Sequence, residues 1–119
     1  MFLFRRRTNR VTPDQAHQRT TDGDAVLLDV REQGEWSAGH APGAVHAPLS
    51  GLATGTALPS AAAGRSLVVI CRSGHRSRQA AELLAGRGAE AVDVTGGMQA
   101  WASAGLPVVA ERGSSGRIA

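Results

Sequence analysis

Short apolar runs alternate with longer mixed stretches along most of this chain. Three of the runs are rich in aliphatic and β-branched residues, and they lie at 25–30, 67–70 and 91–94. Runs of this kind predict strands that are covered on both faces, as in a parallel sheet. A further brief strand is expected over 43–46, just before Pro48.

The stretches between the runs predict helices. Thr12-Pro13-Asp14-Gln15 has a capping-box pattern with proline at the first helical position, which predicts a short helix to about residue 20. We expect further helices over 32–38, 52–63, 76–87 and 98–104. Gly55 and Pro59 interrupt or shorten the second of these.

Strands that alternate with helices predict an α/β domain with a mostly parallel five-stranded sheet and helices on both faces. Ligands of such folds bind beyond the carboxyl ends of the strands. By this prediction the segments 29–31 and 95–97 and the residue Cys71 all lie at strand ends. Three parts of the chain should therefore converge on one site.

Length and charge narrow the class of protein. The 119 residues suit one domain over 11–109, with a basic arm at 1–10 and a flexible tail at 110–119. The formal net charge is +3, and all 13 basic residues are arginine. Arg5, Arg6, Arg7 and Arg10 cluster near the start. The chain has no tyrosine and few other aromatic rings for base stacking, so we expect no nucleic-acid partner.

The apolar opening 1–4 precedes the arginines and is too short for a secretory signal. No run approaches the roughly 20 apolar residues that a membrane-spanning helix needs. We therefore expect a cytoplasmic protein with no transmembrane segment.

The one cysteine of the chain, Cys71, stands between the apolar run 67–70 and a loop rich in glycine and arginine. The loop reads Cys71-Arg72-Ser73-Gly74-His75-Arg76-Ser77. The amide groups and dipole of the following helix, with Arg72 and Arg76, favour the thiolate over the thiol. A lone cysteine is otherwise most often a buried apolar residue. Because a structural cysteine needs no such loop, we predict a catalytic or sulfur-carrying role for Cys71.

A single cysteine also forbids an intrachain disulfide and a resolving thiol within the sequence. Any persulfide or oxidised form of Cys71 must therefore be discharged by another molecule. The second substrate or partner is part of the predicted chemistry.

Three separated segments resemble the rhodanese (sulfurtransferase) family. The first, 29–44, contains Asp-Val-Arg-Glu, Glu-Trp and Gly-His-Ala-Pro-Gly-Ala; the second is the loop 71–77. The third, 96–108, contains Gly-Gly, Ala-Trp and Ala-Gly-Leu-Pro-Val. The three occur in the family's order and span nearly the whole domain. The resemblance implies a rhodanese-like three-layer α/β fold.

The resemblance also implies a two-step exchange. Cys71 attacks the outer sulfur of an anionic donor such as thiosulfate and forms a persulfide, while an anion such as sulfite leaves. Cyanide or a thiol then takes the sulfur. The implied partners are these small donors and acceptors, with a protein donor or acceptor as an open alternative. No metal and no organic cofactor is implied.

The loop suits this exchange. Successive N–H groups over 72–77 can form an anion-binding nest, and Arg72 and Arg76 can hold an anionic donor. Gly74 lets the backbone curl closely around the sulfur. Ser73 and Ser77 can donate hydrogen bonds, and Ser77 can also cap the helix.

Loop length separates two chemistries. The related dual-specificity phosphatases and arsenate reductases have five residues between cysteine and arginine, whereas four separate Cys71 from Arg76. The smaller pocket favours sulfur over phosphate chemistry. Thiosulfate-using relatives carry arginine at the position of Glu35 and a basic residue at that of Ser73. Both departures weaken the case for thiosulfate, unless Arg31 and Arg72 supply the charge.

Several alternatives stay open. Asp29 and Arg31 support the site directly or form a brace between loops, and His75 tunes Cys71 or is uninvolved. We interpret His40 and His46 as structural, since further metal ligands are not apparent near them. The default for Trp36 and Trp101 is core packing, and Gly96 and Gly97 suit a tight turn beside the loop. The alternative function is a non-catalytic rhodanese-like module for protein binding, sulfur carriage or regulation.

Overall fold

The computed structural model describes residues 9–110 and 115–119. Within them the strands are β1 (Arg10–Val11), β2 (Val26–Asp29), β3 (Val45–His46), β4 (Leu67–Ile70) and β5 (Ala91–Val94). The helices are α1 (Pro13–Thr21), α2 (Gln33–Ala38), α3 (Leu49–Ala53), α4 (His75–Gly86) and α5 (Gly97–Ser103). No helix in these residues is long and apolar enough to span a bilayer.

The five strands form one sheet in the order β1-β5-β4-β2-β3, and each neighbouring pair is parallel. Side chains of the central strand β4 alternate between two apolar clusters. Leu67 and Val69 pack with α3 and α4, whereas Val68 and Ile70 pack with residues of α1 and α5. The predicted α/β fold with helices on both faces is confirmed.

The prediction of a helix over 52–63 is wrong in position and length. Helix α3 begins at Leu49, directly after Pro48, and ends at Ala53. Gly55 follows with a φ of +99°, in the left-handed region that stops a helix. The Thr54 hydroxyl donates to the carbonyl oxygens of Ser50 and Gly51, which closes the last turn.

The sheet begins within the predicted basic arm. Arg10 belongs to β1 and pairs in register with Asp93 of β5. Thr95 then donates its N–H to the Val11 carbonyl. The boundary expected between residues 10 and 11 therefore runs through a strand, because backbone pairing to β5 recruits Arg10. Arg5, Arg6 and Arg7 lie outside the described residues.

Residues 115–119 lie against the domain, which differs from the flexible tail that we expected over 110–119. Gly116 donates its N–H to the Val108 carbonyl and Arg117 donates to that of Ala38. Ile118 packs against the cluster beneath α1 and α5. The contact is close because Gly116 and Gly39 have no side chains to separate the two backbones. Residues 111–114 lie outside the described part of the chain.

Candidate active site

Cys71 lies where strand β4 ends and the loop to helix α4 begins. The residue is 1% exposed, and the backbone N–H of Gly74 donates to its Sγ at 3.1 Å. Gly74 has a φ of +107° and precedes the first residue of α4. The loop thus aims one of its predicted nest amides at the sulfur from the helix N-terminus.

Other predicted loop residues face outward. Arg72, Ser73 and His75 are exposed, and the Ser73 hydroxyl lies 3.5 Å from His75 Nδ1. Arg72 donates from Nε to the backbone oxygen of Ala119 at 2.8 Å. The end of the described chain therefore lies beside the first residue of the loop.

A buried chain of hydrogen bonds leads away from the sulfur. Cys71 Sγ lies 3.4 Å from Ser77 Oγ, and the Ser77 hydroxyl donates to Asp93 Oδ2 at 3.1 Å. Arg10 donates from Nε to Oδ1 at 3.2 Å and from Nη2 to Oδ2 at 3.0 Å. The same Nη2 also donates to the Gly74 carbonyl at 3.0 Å. Ser77 is therefore buried within the site, as a partner of both Cys71 and Asp93.

Sequence reasoning missed Asp93 and the role of Arg10. A signal for Asp93 was present, since a carboxylate inside an apolar strand requires a buried partner. Arg10 carried no such signal, because nothing in the sequence separates it from Arg5, Arg6 and Arg7. Its partner became apparent only from the pairing of β1 with β5.

Arg76, the last cation of the loop, is engaged by an acidic residue. Its Nη1 and Nη2 donate to Glu35 Oε1 and Oε2 at 2.7 and 2.8 Å. This hydrogen bonding lowers the pKa of Glu35 from its ordinary value of 4.5 to about 2, against the opposing effect of burial. The bond to Glu35 likewise raises the pKa of Arg76. Both groups are charged at neutral pH and offset each other.

Glu35 is held in place by its own helix. It occupies the third position of α2, where its Oε1 also accepts the Glu32 N–H at 3.0 Å and completes a capping box. Its carboxylate therefore has two structural partners, one at the start of α2 and the other at the active loop.

Helix α5 supports the loop from behind. Met98 donates its N–H to the Cys71 carbonyl at 2.7 Å, and Gln99 donates to that of Arg72 at 3.0 Å. Gly96 and Gly97 precede these amides with φ values of +76° and +58°. The two glycines form the tight turn beside the active loop that the sequence predicted.

Asp29 and Arg31 form a buried brace. Both are 0% exposed, and Arg31 donates from Nε and Nη2 to the Asp29 carboxylate and from Nη2 to the Gly39 carbonyl. Nη1 of Arg31 has no partner in the described chain. This geometry favours the bracing alternative, because the Arg31 guanidinium is already engaged by the Asp29 carboxylate and the Gly39 carbonyl.

Two of the histidines outside the loop, His40 and His46, lie against Trp36. The imidazoles of His40 and His46 stack on the indole at centroid distances of 3.6 and 4.7 Å. Trp36 is half-buried, so it differs from the core residue expected, whereas Trp101 is fully buried. Across residues 9–110 and 115–119, no three His, Cys, Asp or Glu side chains converge to hold a metal ion.

A cavity of about 760 Å³ lies at the opposite end of the sheet from Cys71. Ser66, which precedes β4, and Glu90, which precedes β5, are among its lining residues. It therefore opens at the amino ends of these strands, while the loop 71–77 follows a carboxyl end.

Known proteins resemble this chain in sequence and in fold. The family model for the rhodanese-like domain matches residues 12–104. A rhodanese-related protein from Thermoplasma volcanium is 32% identical, with a TM-score of 0.74 over 89% of this chain and 100% of the other.

Two further solved structures carry different descriptions. A protein of unknown function from Rhodopseudomonas palustris, described as a possible tyrosine phosphatase, is 26% identical with a TM-score of 0.75 over 85% of this chain and 84% of the other. A thiosulfate sulfurtransferase from Pseudomonas aeruginosa is 22% identical with a TM-score of 0.72, over 96% of this chain and 22% of that protein. At 22% identity, the likeness to the thiosulfate sulfurtransferase concerns the fold alone.

Proposed function

Because the chain belongs to the rhodanese-like domain family, we propose that it is a sulfurtransferase that carries sulfane sulfur as a persulfide on Cys71. The observation that carries the proposal is the N–H of Gly74, the N-cap residue of α4, aimed at Sγ. An amide donor at that place stabilises the Sγ thiolate that attacks the donor and that forms again when the acceptor removes the outer sulfur.

The first half-reaction consumes an anionic donor. The Cys71 thiolate attacks the outer sulfur of thiosulfate, a sulfur–sulfur bond forms to Sγ, and the bond within the donor breaks with its electron pair on sulfite. Cys71 is left as a persulfide anion. The exposed guanidinium of Arg72 is placed to attract the donor.

The second half-reaction returns the enzyme to its starting state. Cyanide attacks the outer persulfide sulfur and leaves as thiocyanate, while the electron pair of the broken sulfur–sulfur bond returns to Sγ. A thiolate acceptor takes the sulfur in the same way and becomes a persulfide. No electrons are gained or lost overall, so no external oxidant or reductant is needed.

The pairing of Arg76 with Glu35 bears on the choice of donor. A bidentate carboxylate already occupies this guanidinium, so Arg76 offers a free anion less charge than an unpaired arginine would. We therefore expect the protein to accept sulfur more readily from a donor of lower charge than thiosulfate, such as mercaptopyruvate, whose carbon–sulfur bond breaks with its electron pair on carbon.

Intact-mass analysis after incubation with thiosulfate, mercaptopyruvate or glutathione persulfide tests the function. One added sulfur is expected with at least one donor, and cyanide should remove it as thiocyanate. Cys71→Ser must take up none, whereas Ser103→Ala, which changes an exposed serine of α5 outside the loop, should still take up one sulfur. Absence of an adduct with all three donors would refute the sulfurtransferase.

That negative result would favour the second candidate, a non-catalytic binding or regulatory module of the same fold. The observation in its favour is the enclosed sulfur, which is 1% exposed. A phosphatase is a third possibility raised by the description of one structural neighbour. The four-residue spacing between Cys71 and Arg76 argues against it, and we expect no hydrolysis of aryl phosphates.

A further inference from the structure

Asp93 is a carboxylate enclosed in the middle of the sheet. It is 0% exposed and lies on β5 between β1 and β4. A buried carboxylate is costly unless its oxygens are hydrogen-bonded or paired with a cation. Asp93 receives two bonds from Arg10 and one from Ser77. Its environment is thus polar and directed toward the active loop.

Both groups that contact Sγ in the described chain are anchored to this pair. Ser77 approaches the sulfur at 3.4 Å while its hydroxyl hydrogen points to Asp93. Gly74 donates to the sulfur at 3.1 Å while its carbonyl accepts from Arg10 at 3.0 Å. Arg10 and Asp93 therefore reach the sulfur through Gly74 and Ser77, without touching it themselves.

The carboxylate fixes the direction of the Ser77 hydrogen bond. Asp93 can only accept when ionised, so Ser77 donates to it and presents oxygen lone pairs toward Sγ. A lone pair suits the thiol, whose hydrogen Ser77 accepts, but not a sulfur anion. The donor that remains for the anion is the Gly74 N–H, whose orientation depends on Arg10.

Space around Gly74 links the same residues. A Cβ at this position would lie 2.9 Å from Nη2 of Arg10 and 3.2 Å from the backbone nitrogen of Gly96. Arg10 therefore lies directly against the turn that aims the amide. A shift of its guanidinium would allow the Gly74 peptide to rotate.

We propose that Arg10 and Asp93 are positioning residues for Cys71. Arg10 holds the Gly74 N–H against the sulfur during transfer, while Asp93 holds Arg10 in place and keeps the Ser77 hydroxyl hydrogen turned away from the sulfur. This inference rests on the proposed sulfurtransferase function for its kinetic consequences. Its structural content, the orientation of the Gly74 amide, is independent of that function.

The kinetic test is single-turnover persulfide formation in Arg10→Ala. The rate at saturating donor should fall about tenfold with the donor KM within about twofold, as expected when one hydrogen bond to a charged group is lost from the transition state. Arg78→Ala is the matched control, because Arg78 is an exposed arginine on α4 with a 4.0 Å contact to Glu82. It should leave both constants unchanged.

Chemical rescue separates positioning from a general loss of structure. The Arg10 side chain is 36% exposed, so guanidinium ion at concentrations too low to denature can reach the vacated site. It should restore part of the rate of Arg10→Ala and none of that of Cys71→Ser. Arg10→Lys, which keeps the charge but not the fork of donors, should be intermediate. A rise in KM with an unchanged rate would overturn the proposal, since Arg10 would then bind the donor directly.

Amide hydrogen exchange, followed by nuclear magnetic resonance, tests the orientation without any sulfur transfer. The Gly74 amide should exchange about tenfold faster in Arg10→Ala than in the wild type, as expected if a stabilising bond is lost from the closed loop. Amides of the central strand β4 should be unaffected. If the Gly74 amide is equally protected in both proteins, the positioning role is refuted. If the wild type takes sulfur from no donor, the proposed function fails while this comparison still decides the role of Arg10.

Discussion

At the scale of single residues, Glu35 determines how much positive charge the active loop presents. Its carboxylate spans both terminal nitrogens of Arg76, the residue at which the family resemblance places a donor-binding cation. The side chain of Arg76 is 34% exposed and that of Glu35 is 21% exposed, so solvent reaches both charges of the pair. The remaining cation of the loop is Arg72.

Glu35→Gln should improve thiosulfate as a donor. Glutamine keeps the oxygen that accepts the Glu32 N–H and caps α2, but it removes the negative charge from Arg76. We expect the KM for thiosulfate to fall roughly threefold, the size of a partly screened charge interaction. Steady-state kinetics at low and high salt check this, and salt should diminish the gain.

Glu82→Gln is the control for that variant, because Glu82 is an exposed carboxylate on α4 near Arg78. It changes the net charge equally but should leave the KM unchanged. If both variants lower the KM for thiosulfate equally, the net charge of the protein determines that KM, and the release of Arg76 from Glu35 does not.

The same pair should contribute to acid stability. The pKa of Glu35 is about 2 in the folded protein, below its ordinary value of 4.5, so the folded state binds this proton less tightly than the unfolded state. The contribution is complete above pH 4.5 and is lost as the pH falls toward 2. For a pair this exposed we expect about 1 kcal/mol.

Urea unfolding of the wild type and Glu35→Gln across that pH range measures this contribution. The free energy of unfolding of the wild type should fall more steeply, and the two proteins should converge near pH 2. The other carboxylates are the same in both proteins, so their effect cancels in the difference between the two free energies of unfolding. Parallel curves would contradict the pairing.

At the scale of the elements, the first turn of α5 is a support for the active loop. Its amides at Met98 and Gln99 bind the carbonyl oxygens of Cys71 and Arg72. This requires the helix to start against the loop backbone, which only residues without side chains permit. Gly97 combines the close approach with a φ of +58°.

Gly97→Ala should therefore damage stability and site together. Its Cβ would overlap the Cys71 carbonyl oxygen and lie 2.7 Å from the carbonyl carbon and oxygen of Arg72. Left-handed backbone strain and overpacking together should cost about 3 kcal/mol. Thermal melting and persulfide formation should both decline.

Gly86→Ala is the matched control. Gly86 is the last residue of α4, no atom lies within 4 Å of the Cβ position, and its φ is not in the left-handed region. Alanine should be neutral or stabilising there. If Gly97→Ala melts like Gly86→Ala, α5 does not support the loop in this way.

The elements that sequence alone predicted well are those with a strong local signal. The capping box of Thr12 and Gln15 predicted the start of α1 correctly. The apolar run 67–70 likewise predicted the bounds of β4. Helix α3 was misplaced because Gly, Ala, Ser and Thr over 49–65 carry little periodicity. Strand β1 was missed because it has only two residues, and these are extended through their pairing with β5.

At the scale of the whole molecule, the site depends on contacts between residues far apart in the sequence. The position of Cys71 and its loop was predictable, because a strand, a glycine and a helix follow one another locally. The bonds of Arg10 to Asp93 and of Arg76 to Glu35 were not, as they require the sheet order β1-β5-β4-β2-β3 to be known. Local pattern thus predicts the nucleophile, and topology determines its partners.

The segment 115–119 also makes contacts with residues far from it in the sequence. It crosses Gly39 and brings Ala119 to Arg72, the exposed cation of the loop. Arg72 is therefore shared between this segment and any anionic donor. Displacement of the segment should make the guanidinium fully available.

Gly39→Ala should displace it. The backbone of Gly39 is extended, with a φ of 175°, so alanine introduces no strain there; its Cβ would instead lie 2.6 Å from the Arg117 nitrogen and 2.9 Å from its carbonyl carbon. Few backbone hydrogen bonds hold residues 115–119 to the domain, so they can lift away to relieve this overlap, and we expect a loss of stability of only about 1 kcal/mol. The KM for thiosulfate should fall at the same time. Thermal melting and donor kinetics measure the two effects.

Gly34→Ala is the control, because Gly34 lies in α2, the helix that Gly39 follows, and no atom lies within 4 Å of its Cβ position. It should neither lower the stability nor change the KM for thiosulfate. The double variant Gly39→Ala, Arg72→Ala distinguishes release of Arg72 from a general opening of the loop. Since the benefit acts through the freed guanidinium, removing Arg72 should abolish the fall in KM while the small loss of stability stays. A KM that falls equally without Arg72 would instead place the effect of the segment on access to Cys71.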